Sequence, residues 1–167
     1  MRPPVRRTLL DIALTLLFIL LQTTIGRYLA LAGLPPDIAL IWIVYLALRR
    51  GQLAGTVAGF FTGLVLDLIS GNDGMMGLAA LSKTAAGFTA GYFYNENKTL
   101  QTLGSYRFIV IILTVALVHN LIYFVIFLQG SGAHWWEAIL LYGIPAALYT
   151  AAVGLIPTFV FARRLLQ

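Results

Sequence analysis

Residues 49–77 read RRGQLAGTVAGFFTGLVLDLISGNDGMMG, and this stretch decides what kind of chain this is. Glycine recurs at 51, 55, 59 and 63. Asp67 takes the next position in the series and Gly71 the one after. Glycine costs an isolated helix in water ~1 kcal/mol relative to alanine. Four in phase inside an apolar run are explained by close helix contact in a membrane, where small residues let backbones approach. A carboxylate on the same register, in an otherwise uncharged segment, marks a candidate functional position.

The rest of the chain agrees with that reading. Of its 167 residues, 60% are hydrophobic and 10% charged, whereas a soluble domain carries about 25% charged residues. The apolar residues fall in long runs, which predicts a single all-α polytopic membrane domain over 1–167. Cysteine is absent, which excludes disulfides and thiolate chemistry. The net charge of +5 is not read as nucleic-acid binding, because its distribution relative to a bilayer explains it better.

Six spans are expected, over about 8–28, 37–49, 52–69, 75–94, 107–128 and 137–162. Arg2, Arg6 and Arg7 resemble the start of a signal peptide, but the apolar run from Leu9 to Ile25 is longer than a usual signal core and reads as the first span. Asp11 sits beside those arginines, where an acid pairs or stays wet. The corner Leu34-Pro35-Pro36-Asp37 ends one helix and opens the next, with an acid placed to complement the helix dipole. The second span is short, and must borrow residues from that corner or sit where the bilayer thins. Ser70-Gly71-Asn72-Asp73-Gly74 predicts a tight turn, 95–107 a polar loop, and Gly130-Ser131-Gly132 a further loop before Trp135 and Trp136, which suit a membrane interface. Pro145 and Pro157 interrupt the last span.

With six spans both termini share a side. Arg2, Arg6, Arg7, Arg49, Arg50, Lys98, Arg107, Arg163 and Arg164 all fall on it, nine of the eleven basic residues. The positive-inside rule then puts both termini in the cytoplasm. Arg6, Arg7, Arg49, Arg50, Arg163 and Arg164 are the residues expected to face anionic lipid.

Three constellations remain. Residues four apart advance by about 40° beyond a full turn, so Gly51, Gly55, Gly59 and Gly63, with Phe60 beside them, form an inclined groove. It accepts either the chain's own fourth helix, which carries Gly87 and Gly91, or a helix of a partner. Asp67 and Lys83 lie on the two arms of a helical hairpin. Either they pair, or Asp67 is solvated at the interface and Lys83 snorkels; His119 is a further partner for the lysine. Catalysis finds no support. His119 and His134 are the only histidines and have no metal-ligand spacing, no phosphate-binding loop is present, and Ser82 and Lys83 are adjacent and so diverge by about 100° around a helix. No catalytic, cofactor-binding or metal-binding residue is expected.

The order of residues has a further reading. Pro36-Asp37 opens a short helix, Tyr45 precedes Arg49-Arg50-Gly51, and then come Gly55, Gly59-Phe60, Gly63-Leu64, Asp67, Ser70-Gly71, Gly77-Leu78 and Ala80-Leu81. Over about residues 35–95 this resembles the MreD family, small polytopic subunits of the bacterial rod-shape machinery; Lys83 is not part of the motif. The resemblance implies a non-enzymatic role in the cytoplasmic (inner) membrane. The expected partner is an MreC-like bitopic protein. Together they would link the MreB cytoskeleton to RodA and its transpeptidase partner in peptidoglycan synthesis. It also implies an architecture similar to the substrate-binding subunits of energy-coupling-factor transporters, a fold-level likeness. A second copy of this chain is an alternative occupant of the groove. The alternative function is a vitamin-binding transporter subunit, with Asp67, Lys83, His119 and Asn120 converging on a pocket.

Overall fold

A computed structural model of the chain describes residues 3–71, 75–129 and 134–165. Its helices in order are α1 (Pro3–Thr24), α2 (Ile38–Arg50), α3 (Gln52–Ser70), α4 (Leu78–Gly91), α5 (Thr99–Leu103), α6 (Tyr106–Phe127), α7 (Trp135–Ala138), α8 (Ile144–Val153) and α9 (Leu155–Leu165). Among the described residues the only β-type pairing is a single bridge between Leu31 and Leu34. Asn72, Asp73 and Gly74 of the expected tight turn, Gly130-Ser131-Gly132 of the later loop, and Arg2 lie outside the described residues, as does the side chain of Arg164.

Three helices are long and apolar enough to cross a membrane: Gln52–Ser70, Tyr106–Phe127 and the interrupted rod Trp135–Arg163. α2 and α4 have 13 and 14 residues, about 20 Å each at 1.5 Å per residue, short of a ~30 Å hydrocarbon core. α1 has 22 residues but is more polar, with Arg6, Arg7, Asp11 and Gln22 along it.

α2 is the axis of the fold. Ala39 through Val44 and Leu46 through Leu48 are all buried, as expected for a helix apolar on every face. It touches α1, α3, α4, α5, α6 and α8. On one side Leu40, Val44, Leu48, Ala86, Phe108, Ile112, Val115 and Ala147 form the main core. On another, Trp42 stacks between Phe18 and Tyr45 at centroid distances of 4.9 and 5.2 Å. The Trp42 indole donates to the Thr15 hydroxyl at 2.9 Å, which ties α1 to this side.

α3 and α4 form the tightest pair. A Cβ at Gly55 would strike Ala47 of α2 and the Gly87 carbonyl. At Gly59 it would strike the Lys83 carbonyl, and at Gly63 Ala79 and Ala80. Each four-residue step up α3 meets a four-residue step down α4. The backbones therefore touch over three turns, and the 40° drift of the glycine ridge is followed by α4 along its length. Of the two occupants expected for the glycine groove, the chain's own fourth helix is the one found, so the partner-helix alternative is corrected: Gly55, Gly59 and Gly63 are filled from within the chain. Gly51 joins α2 to α3 at φ +92°. Phe60 is exposed, its ring edge-on to Phe61.

One stretch differs from the sequence expectation, and another, the last rod, is interrupted near both prolines as expected. The polar segment after Tyr94 is not a plain loop. It contains a 3₁₀ turn (Glu96–Lys98) and α5, whose Leu103 is buried against the core. The last rod is broken twice. Ile139–Gly143 has π geometry just before Pro145, and the Asn120 side chain donates to the Gly143 carbonyl there at 2.7 Å. Gly154 separates α8 from α9, with Pro157 in the first turn of α9. Proline has no N–H to continue the ladder, and such breaks need outside donors.

Candidate functional site

The polar groups of the interior gather at the start of α2. Pro35 and Pro36 stop the preceding chain, and Asp37 becomes the N-cap, its Oδ1 accepting from the Leu40 amide at 2.9 Å. The other free amides of this helix start are satisfied from elsewhere. Gln22 Oε1 accepts from Ile38 at 2.7 Å and from Ala39 at 3.3 Å, while its Nε2 donates to the Pro36 carbonyl. The Thr150 hydroxyl accepts from the Asp37 amide at 3.0 Å. The start of α2 is thus closed by α1, α8 and its own acid. Because α2 is the buried axis, a helix terminus that would ordinarily face solvent lies inside the protein.

Lys83 Nζ donates to the remaining oxygen of Asp37 and forms a salt bridge with it. Lys83 is 4% exposed, so its charge is removed from solvent and held by this one carboxylate. His119 of α6 approaches the same oxygen, Nε2 to Oδ2 3.6 Å, and is 8% exposed. The Ser82 backbone lies beside the imidazole, yet His119 Nδ1 makes no hydrogen bond of ordinary geometry. Tyr123, one turn on, packs against the imidazole with centroids 6.2 Å apart. Four helices, α2, α4, α6 and α8, are joined at this point by groups from each.

Asp67 is elsewhere. It reaches across the hairpin to the start of α4 and accepts from the amides of Gly77 (3.1 Å), Ala79 (3.0 Å) and Ala80 (2.9 Å). Gly77, the residue before α4, has φ +97° and no capping side chain, so an acid sixteen positions upstream of Lys83 serves as the cap instead. The expected Asp67–Lys83 pair is therefore corrected: Lys83 and His119 come together on Asp37, and Asp67 stabilises a helix end. Asn120 turns away to Gly143.

Asp37 was legible as a helix cap and illegible as the lysine's partner. The available signal was the unbroken apolar run Ile38–Leu48, which implies burial on all sides and so a buried start. Lys83, a cation in an apolar helix, had to find an acid, and Asp37, at the start of that buried run, was a candidate.

The arginines expected to face lipid lie toward one end. Arg50 pairs with Asp11 at 2.8 Å and so joins α2 to α1. Arg49 donates to the Tyr45 hydroxyl. Thr99 donates to the Leu48 carbonyl at 3.3 Å, and α5 touches α2, α6 and α9. The start of α1, the α2–α3 junction, α5 and α9 thus meet at one end of the molecule. Arg6, Arg7, Arg49, Arg50 and Arg163 are exposed there.

In chemical terms, the interior cluster is a closed ion pair with an adjoining imidazole. Among the described residues no three acidic or histidine side chains are grouped to hold a metal ion. Comparison of the chain with protein-family models, with curated proteins and with solved structures finds no match.

Proposed function

We propose that this chain is a non-enzymatic scaffold of the bacterial cytoplasmic membrane, acting as MreD-like proteins do. It crosses the bilayer six times with both termini in the cytoplasm and binds an MreC-like bitopic partner, and through it RodA, its transpeptidase partner and MreB. One observation carries the reading. Six of the residues that make up the resemblance serve the chain's own architecture: Asp37 caps the central helix, Gly55, Gly59 and Gly63 seat α4, Asp67 caps α4, and Gly77 makes the left-handed turn before it. A motif built of packing devices marks a shared fold whose work is done by its surface. The clustering of exposed arginines at one end supports the topology.

The test is affinity capture of the full chain from native bacterial membranes after brief crosslinking, read by mass spectrometry. The expected result is a single-span protein with an external coiled coil, recovered in near-equal amount. Recovery of an ATP-hydrolysing transporter module, together with thermal stabilisation by a vitamin, would replace this reading with the transporter one.

A further inference from the structure

A groove of ≈ 520 Å³ runs along the outside of α2, walled by Phe18, Ile38, Trp42, Tyr45, Ile156 and Phe161. Its lining is almost wholly apolar. Tyr45 and Phe161, whose rings stack at 5.5 Å, also wall a second recess of ≈ 320 Å³. The second recess is polar. Arg49, Tyr94, Glu96 and Thr99 line it.

The two compartments have the proportions of one lipid molecule. From Ile38 to Arg49 is eleven residues of helix, ~16 Å at 1.5 Å per residue. That is about half of a ~30 Å hydrocarbon core, the depth of a single leaflet. A helix of the same length, ~10 Å across, fills more than twice the volume of the apolar groove, so a partner helix lies over its mouth while an acyl chain enters it.

The polar recess sets the headgroup. Arg49 and Glu96 both line it, and among the described residues neither lies within 4.0 Å of an opposite charge. A cation and an anion that line one recess without pairing suit a ligand that carries both charges. We propose that this site binds a phosphatidylethanolamine molecule: one acyl chain in the α1–α2–α9 groove, the phosphate on the Arg49 guanidinium, and the primary ammonium donating to the Glu96 carboxylate. A choline headgroup has no N–H to donate, and a glycerol headgroup has no cation for Glu96. The site rests on the bilayer reading of the chain and is independent of the scaffold role.

Trp42 reports on the groove. It is 5% exposed and walls the cavity, so bulk lipid touches it little. In a Trp135→Phe/Trp136→Phe background it is the only tryptophan left. The full chain is reconstituted in nanodiscs, and Trp42 fluorescence is titrated with acyl-brominated phosphatidylethanolamine, phosphatidylglycerol or phosphatidylcholine. Half-quenching is expected at an about fivefold lower mole fraction for phosphatidylethanolamine than for the other two, the factor for ~1 kcal/mol from partly exposed charge pairs. Glu96→Gln should move the preference to phosphatidylglycerol. Arg49→Gln removes a phosphate contact common to the three lipids, so it should move all three curves to higher mole fraction in the same order while maximal quenching stays unchanged, which shows that the groove still forms. Coincident curves for the parent chain overturn the site, as does a preference for phosphatidylethanolamine that survives Glu96→Gln, or quenching that never exceeds that of a surface-exposed tryptophan. None of these readouts involves a partner protein, so failure here leaves the scaffold reading untouched, and the converse holds.

Discussion

Asp37 and Asp67 are both carboxylates at the start of a helix, and the protein uses them in opposite ways. Asp67 comes from the neighbouring helix and is met by three amides of neutral backbone. Asp37 belongs to the helix it caps, and is met by one amide, one buried ammonium and one imidazole. The first is a local device that could be lost with one helix end frayed. The second holds a charge that has no other counter-ion. The difference follows from position: α4 starts at the edge of the molecule, where Met75 and Met76 are partly or well exposed, whereas α2 starts inside it.

The largest effect should come from breaking the inner acid. Asp37→Asn keeps the cap but leaves Lys83 buried and unpaired, a loss of ~3–5 kcal/mol. Lys83→Met alone leaves the carboxylate without its ammonium and should also destabilise. The double variant Asp37→Asn/Lys83→Met removes both charges and should recover most of the loss, since a neutral replacement of a buried pair is often tolerated. Thermal unfolding in detergent of the four proteins measures this cycle. Additive losses would mean that the two charges do not depend on each other.

The comparison sharpens at Gly59, because this glycine sets where Lys83 sits. A Cβ added there would strike the Lys83 carbonyl oxygen, so Gly59→Ala pushes α4 away at the level of the ion pair. Overpacking of this kind costs ~1–3 kcal/mol. It should cost less in the Asp37→Asn/Lys83→Met background, where no ion pair remains to be displaced. Equal losses in the two backgrounds would show that the backbone contact and the ion pair are independent.

Much of this was legible in the sequence. The apolar runs and the in-phase glycines announce an all-helical chain in which α3 is packed closely, and the boundaries of α2, α3 and α6 fall within a residue or so of the pattern. The partner of the glycine face was not legible, because a small-residue ridge has the same period whichever helix lies on it. The matching spacing of Gly87 and Gly91 was the only hint that α4 fills it. The partner of Lys83 stays open in the sequence for a geometric reason. Hairpin neighbours in sequence suggested Asp67, but Asp67 is consumed by the α4 amides, and the lysine turns to the other side of its helix, toward α2. The break at Ile139–Gly143 was foreshadowed by Pro145, while the compensating Asn120 could be identified only once α6 was placed beside it.

The outer acid should matter less. Asp67→Asn removes the charge but keeps one acceptor for the α4 amides, and cap losses run to ~1 kcal/mol. The effect should be local. Hydrogen exchange should rise at the amides of Gly77, Ala79 and Ala80 and stay unchanged at the start of α2. Exchange that rises equally at Leu40 would mean that the two helix starts are one cooperative unit, and the contrast between the acids would collapse.

The smallest effect is expected at His119. Its Nε2 is 3.6 Å from Asp37, beyond an ordinary hydrogen bond, and its Nδ1 is buried without one. A buried polar atom without a partner lowers stability, so replacing the ring by an apolar group of similar shape removes a penalty along with a weak attraction. His119→Phe should therefore change the unfolding midpoint by the equivalent of ~1 kcal/mol or less. His119→Ala should cost more, because it opens a cavity beside Tyr123. If His119→Phe instead proves as damaging as Asp37→Asn, the imidazole is a full member of the inner charge cluster. The unit that Asp67 is compared with would then be a three-way network spanning α2, α4 and α6 rather than a salt bridge with a neighbour.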